Sequence, residues 1–307
     1  MLTALHAGRS LLAAGGLAAT ALLQFCSPPP GDPAPPAPAA CGTSASRLEA
    51  YTLSDDGELR CVDTAAPDRV RSYGTVQGLD GEALVGIDVR SPFVDANGAA
   101  NGVPASGALY GLGAGGGVFL IEVRDGDAVA TRRAQLDQPL SGSAFGIDFN
   151  PTVDRLRIVS DTGQNLRANV DTGATVVDGP LNTLGVPTSG VVAAGYTNTD
   201  TDPGTATTLY VLDAATDQLT LQSPPNAGGL TPVGPLGVDA GSAAGLDLHS
   251  ELSPSGAGTT TTDLTAWATL EVGGTVGLYE LTPFSGRARL AGALDRDTVD
   301  LAFPLAQ

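Results

Sequence analysis

The phrase Gly-Ile-Asp recurs along this chain at long, near-regular intervals. It stands at Gly86-Ile87-Asp88, at Gly146-Ile147-Asp148, and as Gly245-Leu246-Asp247. A degenerate copy, Gly195-Tyr196-Thr197, falls between the second and third, and Asp300-Leu301-Ala302 closes the chain. Successive glycines lie 60, 49 and 50 residues apart. A repeat of that length made of short apolar runs predicts a β-propeller, in which each unit buries its faces only against its neighbours.

Composition supports an all-β chain. Of 33 acids, 26 are Asp and 7 are Glu. Asp favours turns and Glu favours helices, and 41 glycines and 22 prolines add to the turn content. No stretch repeats apolar residues with a helical period. The 15 basic residues are all arginine, and the formal net charge is −18. That balance excludes nucleic acid and anionic membrane surfaces as partners.

Four short strands fit between successive repeats. The clearest unit runs Leu84–Val89, Ala108–Leu112, Val118–Val123 and Ala128–Thr131, with the hairpin signal Asp125-Gly126 between its last two strands. A second unit occupies 144–177, a third 191–233 and a fourth 243–291. The region from Leu48 to Val76 supplies three strands and lacks the Gly-Ile-Asp strand, whereas Val299–Phe303 supplies one such strand alone. One plus three makes a fifth unit, so the two chain ends are expected to pair and close the ring, removing open edges. Five blades are expected. Six is the alternative, because Ser250–Thr262 reads as a long Thr-rich loop.

The start of the chain has its own logic. Residues 1–25 carry Arg9 and then an apolar run too short to span a bilayer, which is a signal-peptide pattern. Cys26 follows, with a Pro/Ala-rich tether over 26–46 and a single propeller domain over 47–307. That order resembles a bacterial lipoprotein with Cys26 acylated. Leu23 fits that pattern, while Gln24 and Phe25 depart from it, and cleavage after Ala19-Thr20-Ala21 is the competing reading. Either route places the domain outside the cytoplasm, in the periplasm or at the cell surface. Cys41 and Cys61 then remain as a pair in an oxidising compartment, and a disulfide between them is expected.

The aspartates of the repeat, Asp88, Asp148, Asp247 and Asp300, are expected to line the central channel. They serve either the fold or a bound cation. Asn198, Asp200 and Asp202 alternate like oxygen ligands of a calcium loop, but Pro203 replaces the glycine of a helix-flanked calcium hand, so only a looser calcium site would fit. No other cofactor is implied. Gly111-x-Gly113-x-x-Gly116 precedes a strand, not a helix, and therefore offers no dinucleotide site.

The densest polar run covers Asp148–Arg157 and Ser160–Asn169. It resembles the signature of the bacterial domain of unknown function 4394 family, as do Thr197-Asn198, Ser223-Pro224-Pro225-Asn226 and Val233–Asp239. The likeness spans residues 48–305. It implies a propeller-like fold and an extracytoplasmic setting, and it brings no activity and no catalytic residues. The Gly/Ala/Asn insertion Ser91–Ser106 and the cysteine pair depart from the family pattern.

Asp154, Arg155, Asp161, Gln164, Asn165 and Arg167 form the candidate surface for a sugar or carboxylate, with an ion-paired blade as the alternative reading. Beyond the leader the sequence has one histidine, His249, and it contains no Gly-x-Ser-x-Gly elbow, which leaves little for nucleophilic catalysis. The chain therefore reads as a monomeric, non-enzymatic binding or scaffold module for an envelope or extracellular ligand, with the membrane reached only through a lipid anchor. The alternative is an Asp/Arg hydrolase or lyase acting at the channel mouth.

Overall fold

The innermost strand of every blade carries the repeat. The structure is a computed structural model that describes residues 41–44, 47–197, 206–255, 258–295 and 297–305, all within one compact unit, Ala37–Gln307. The leader, Cys26 and the calcium-loop candidates Asn198, Asp200 and Asp202 lie outside the described residues.

The chain enters through β1 (Thr43–Ser44), β2 (Arg47–Ser54), β3 (Glu58–Asp63) and β4 (Ala66–Thr75). The first complete blade is β5 (Leu84–Arg90), β6 (Ala108–Gly113), β7 (Gly117–Arg124) and β8 (Asp127–Gln135). Asp125 and Gly126 both take positive φ in the β7–β8 turn, as a tight hairpin requires. The second blade is β9 (Phe145–Asn150), β10 (Arg155–Ser160), β11 (Asn165–Ala168) and β12 (Thr175–Val177). A small hairpin, β13 (Asn182–Thr183) and β14 (Val186–Pro187), then crosses to the next blade. That third blade is β15 (Val191–Tyr196), β16 (Leu209–Asp213), β17 (Gln218–Gln222) and β18 (Gly229–Pro235), and β13 pairs parallel to β18 at its outer edge. The fourth is β19 (Ala244–Ser255), β20 (Gly258–Val272), β21 (Thr275–Leu281) and β22 (Ala288–Ala293). Every pairing within these blades is antiparallel in sequence order.

The ring closes as the strand count requires. The last strand, β23 (Thr298–Ala302), pairs antiparallel with β2, with Leu53 opposite Asp300 and Tyr51 opposite Ala302. The fifth blade thus takes its inner strand from one chain end and its other three from the opposite end. Cys41 is bonded to Cys61 on β3, which ties the entering chain to this blade. The sixth-blade alternative falls for a simple reason. Ser250–Ser255 and Gly258–Asp263 are not a loop; they pair with each other and lengthen β19 and β20 into an arm of the fourth blade.

The core is divided into five apolar clusters, one at each blade interface. Leu53 meets Ile87 between the fifth and first blades, and Leu112 meets Ile147 between the first and second. Val159 meets Val211, Leu219 meets Leu246, and Leu278 meets Leu301 at the remaining three. Each such side chain stabilises by about 1.5–3 kcal/mol when fully buried. Inner-strand alternation sends Ile87, Ile147 and Leu246 into these clusters and turns the glycines and aspartates toward the neighbouring inner strands.

Deleting Thr298–Gln307 is expected to leave the β2 edge open and uncover Leu53 and Val62. Thermal melting should fall and light scattering should report self-association. A truncated chain with unchanged melting and scattering would overturn the closure.

Candidate functional site

Two groups of charged residues stand out: a buried acidic one on the axis and a basic one at the interface of the second and third blades. On the axis, each inner strand approaches the next so closely that a side chain at the repeat glycine has no room. A Cβ on Gly146 would lie 2.4 Å from the Ala193 carbonyl carbon of β15. Two residues on, the aspartate reaches across the same gap. Asp88 accepts the Phe149 N–H at 2.6 Å, Asp247 the Phe303 N–H at 2.6 Å, and Asp300 the Ile87 N–H at 2.8 Å. Asp148 accepts the Tyr196 N–H in the same manner. Only β15 has no carboxylate to offer β19, because Thr197 occupies that place.

The expected ring of four resolves into three plus one. Oxygen atoms of Asp88, Asp148 and Asp247 lie within 4.8 Å of one another. Asp300 sits level with the glycines, its Cα 2.6 Å from where a Gly245 Cβ would be. All four are 3–5% exposed. Burial, and then the charge of Asp247, push Asp88 well above the ordinary carboxylate range; burial and the charges of Asp88 and Asp247 do the same to Asp148. Burial raises Asp300 likewise and pushes Asp247 up to about 7. The raised values favour the protonated forms, and the three clustered oxygens are also close enough together to hold a metal ion. A shallow mouth of about 260 Å³ opens at the other end of the inner strands, near Leu84, Phe145 and Ala244, and none of the four aspartates lines it.

The basic group comes from strand alternation. Arg155 and Arg157 are two apart on β10 and share a face, and Arg167 on β11 stands opposite Arg157. Like charges in that register repel, and Asp178 offsets the repulsion. Its carboxylate accepts from Arg157 Nη1 at 2.7 Å and from Arg167 Nε and Nη2 at 2.6 and 2.9 Å. Burial alone would raise Asp178, yet these bonds outweigh it and hold the carboxyl below its usual range. Arg157, 1% exposed, also donates to Asn165, to Asn226 and to the Tyr196 hydroxyl. Arg155 donates only to the carbonyls of Val153 and Asp154 and has no carboxylate partner among the described residues.

These three arginines line a cavity of about 200 Å³ with Asn150, Val153, Tyr196, Pro225 and Asn226. No acid lines it. A larger concavity, about 550 Å³, lies elsewhere beside Cys41, Leu109 and Leu305, and its one charged residue is Glu122.

The six residues grouped by sequence separate in space. Arg155 begins β10 with Asp154 just before it, while Asp161 and Gln164 lie in the turn beyond its far end, roughly 17 Å away at 3.3 Å per strand residue. Asp154 is spent on Arg90 of the first blade, bonded at 2.7 and 2.6 Å, with Asp171 on the same guanidinium. Asp161 accepts from the Ser143 N–H and hydroxyl, and Gln164 bonds the backbone at Ser141 and Pro139. Asn165 is buried beneath Arg157 and also donates to the Gly179 and Pro225 carbonyls. Only Arg155 and Arg167 of the six reach the cavity. Arg157 is legible from its alternation with Arg155; Asp178, Asn226 and Tyr196 join through turns and blade contact and have no local signal.

The chain belongs to the family described as Domain of unknown function (DUF4394), whose model matches residues 58–302. No curated protein sequence matches it. Among solved structures it resembles a chain of the nidogen/laminin complex at 8% identity, over 85% of this chain and 99% of that one, with a TM-score of 0.45. It also resembles Myxococcus xanthus glutaminyl cyclase at 15% identity over 80% and 92% of the chains, TM-score 0.41. BamB from Moraxella catarrhalis matches at 11% over 82% and 70%, TM-score 0.34. No residue role passes from these to the present chain.

The axial cluster sets a pH dependence. A carboxyl whose pKa is raised by folding keeps its proton in the native state while the unfolded chain loses it, so stability falls as pH rises. For Asp247 the fall begins near the unfolded value of about 3.9 and ends near 7, and the other raised carboxyls extend it upward. Asp148→Asn keeps an acceptor for Tyr196 and cannot ionise. It is expected to be more stable than wild type at pH 8, by about 1.4 kcal/mol for each pKa unit removed, and equal to it at pH 4. Urea titrations at the two pH values check this. The comparison cancels His249, whose burial lowers its pKa and acts in the opposite sense below about 6.5. A variant less stable than wild type at pH 8 would show that Asp148 is needed ionised.

Proposed function

We propose that this member of the family is an extracytoplasmic, non-enzymatic binding module whose ligand is a small carboxylate-bearing molecule seated between Arg155, Arg157 and Arg167. One observation carries the reading. In a chain of net charge −18, a cavity is lined by three arginines and no acid. Solubility does not need such a segregation of charge. A planar guanidinium with free donors matches a carboxylate in shape and charge. Arg157 is already bonded and buried, so it supplies fixed positive charge, while Arg155 and the outer edge of Arg167 supply contact. The Cys41–Cys61 bond fits an oxidising compartment, which supports the location.

The hydrolase or lyase reading asks for acids and arginines converging on one pocket, with a carboxyl of raised pKa among them. Here the raised carboxyls are sealed on the axis and the arginines lie apart from them. Titration calorimetry with galacturonate and acetate is the test. Arg155→Ala with Arg167→Ala is expected to weaken binding at least tenfold, while the fold persists because Asp178 keeps its bond to Arg157. Wild-type protein that binds neither acid, or a folded double variant that binds as wild type does, would overturn the reading.

A further inference from the structure

Arg155 and Arg167 have a second cavity behind them. It measures about 270 Å³ and is lined by the same two arginines together with Asn169, Ala174, Thr175 and Asp137. The two guanidiniums therefore form a partition with space on both sides. The hydrogen-bond inventory of the two cavities is one-sided. Asn150 Oδ1 accepts from the Thr152 N–H and hydroxyl, Asn226 Oδ1 from Arg157, and Asn169 Oδ1 from the Asp171 and Thr172 N–H groups. Each asparagine thus has its oxygen occupied by the fold, and none of the three amide NH₂ groups meets an acceptor among the described residues. The same holds for Arg155 Nη2 and Arg167 Nη1. Asp137, which accepts the Thr175 N–H, is the one acid on either lining.

We propose that the double cavity binds a linear acidic oligosaccharide, a chain of uronate sugars, with one carboxylate on the Arg155–Arg167 partition and a sugar ring to each side. This rests on the anion reading above and adds length and class to it. A partition flanked by two cavities places the charged group within a longer ligand, not at its end. The linings offer five unpaired amide and guanidinium N–H groups against three side-chain acceptors, Asp137 and the hydroxyls of Tyr196 and Thr175, and this excess of donors favours a ligand rich in ring, hydroxyl and carboxylate oxygens. An acidic peptide meets the charge but also brings backbone N–H groups. Each that is buried here without an acceptor costs about 1–3 kcal/mol. Sugar hydroxyls avoid that cost by rotating their protons to water or to one another.

The test is titration calorimetry with galacturonate, tri-galacturonate, the neutral galactose trimer and tri-glutamate. Tri-galacturonate is expected to bind at least tenfold more tightly than galacturonate, and the neutral trimer at least tenfold more weakly than tri-galacturonate. Ala174→Trp places bulk in the second cavity from an exposed position that does not line the first. It should remove the gain from chain length. Equal affinity for monomer and trimer, or a gain that survives Ala174→Trp, overturns the oligosaccharide proposal and leaves the single-anion reading standing. Tri-glutamate binding as tightly as tri-galacturonate also overturns it, in favour of an acidic peptide. If neither galacturonate nor its trimer binds, the proposal and the reading beneath it fail together.

Discussion

Everything in this fold hangs on one bond repeated around the axis: an inner-strand aspartate accepting a backbone N–H from the next blade. Edge N–H groups of an inner strand would otherwise face a narrow, water-poor space and stay unpaired, at about 1–3 kcal/mol each. The carboxylate fills that need at a distance no amide of the facing strand could bridge. It also fixes register, since Asp88 must meet Phe149 and Asp247 must meet Phe303. The glycine two residues earlier is part of the same device, because the strands come close enough for the bond only where no Cβ intervenes. Where the carboxylate is missing, between β15 and β19, contact is made by packing alone: Gly195 stands against Leu248 and the Leu246 carbonyl.

The interlock has an electrostatic consequence. Three carboxyls within 4.8 Å of one another cannot all carry charge in a buried site, and shared protons keep them compatible. The axis is thus closed by acids that link neighbouring strands. On the reading proposed above, a charged ligand is met outward from the axis, where blades meet at their rims. The second and third blades offer such a place because the segment after β12 does not stay with its own blade. It runs past Asp178 to pair β13 with β18 of the next blade, and so brings Asp178 under Arg157 and Arg167 and Asn226 beside them.

How much of this is legible in the sequence follows from how local each constraint is. The blade count is legible because Gly and Asp recur together on three of the five inner strands and singly on the other two, and closure follows from counting strands at the two ends. The arm of the fourth blade is not, since Ser250–Thr262 lacks the apolar alternation that marks a strand; its pairing comes from the neighbouring strand of the same hairpin. At the rim, Arg155 and Arg157 can be placed on one face by alternation alone. Asp161 and Gln164, grouped with them by nearness along the chain, are carried to the opposite end by the length of β10. Tyr196 and Asn226 arrive from another blade, and no spacing within the second unit announces them.

An anion site on so acidic a protein must rely on short range. At physiological ionic strength fields fade over about 8 Å, so the net charge of −18 acts mainly on approach and little on the bound ligand. Within the cavity the relevant charges are those in contact: Arg157 and Arg167 share the one carboxylate of Asp178, which leaves a net positive charge, and Arg155 is bonded only to backbone carbonyls. Lysine would serve poorly here. Its ammonium is a mobile point charge, whereas Arg157 makes bonds to Asn165, Asp178 and Asn226 at once and stays buried as it does so. Absence of lysine from the chain and the fixed guanidinium forks of this rim thus belong to one arrangement. A ligand seated there, as proposed above, would be held by the direction of these forks as well as by their charge.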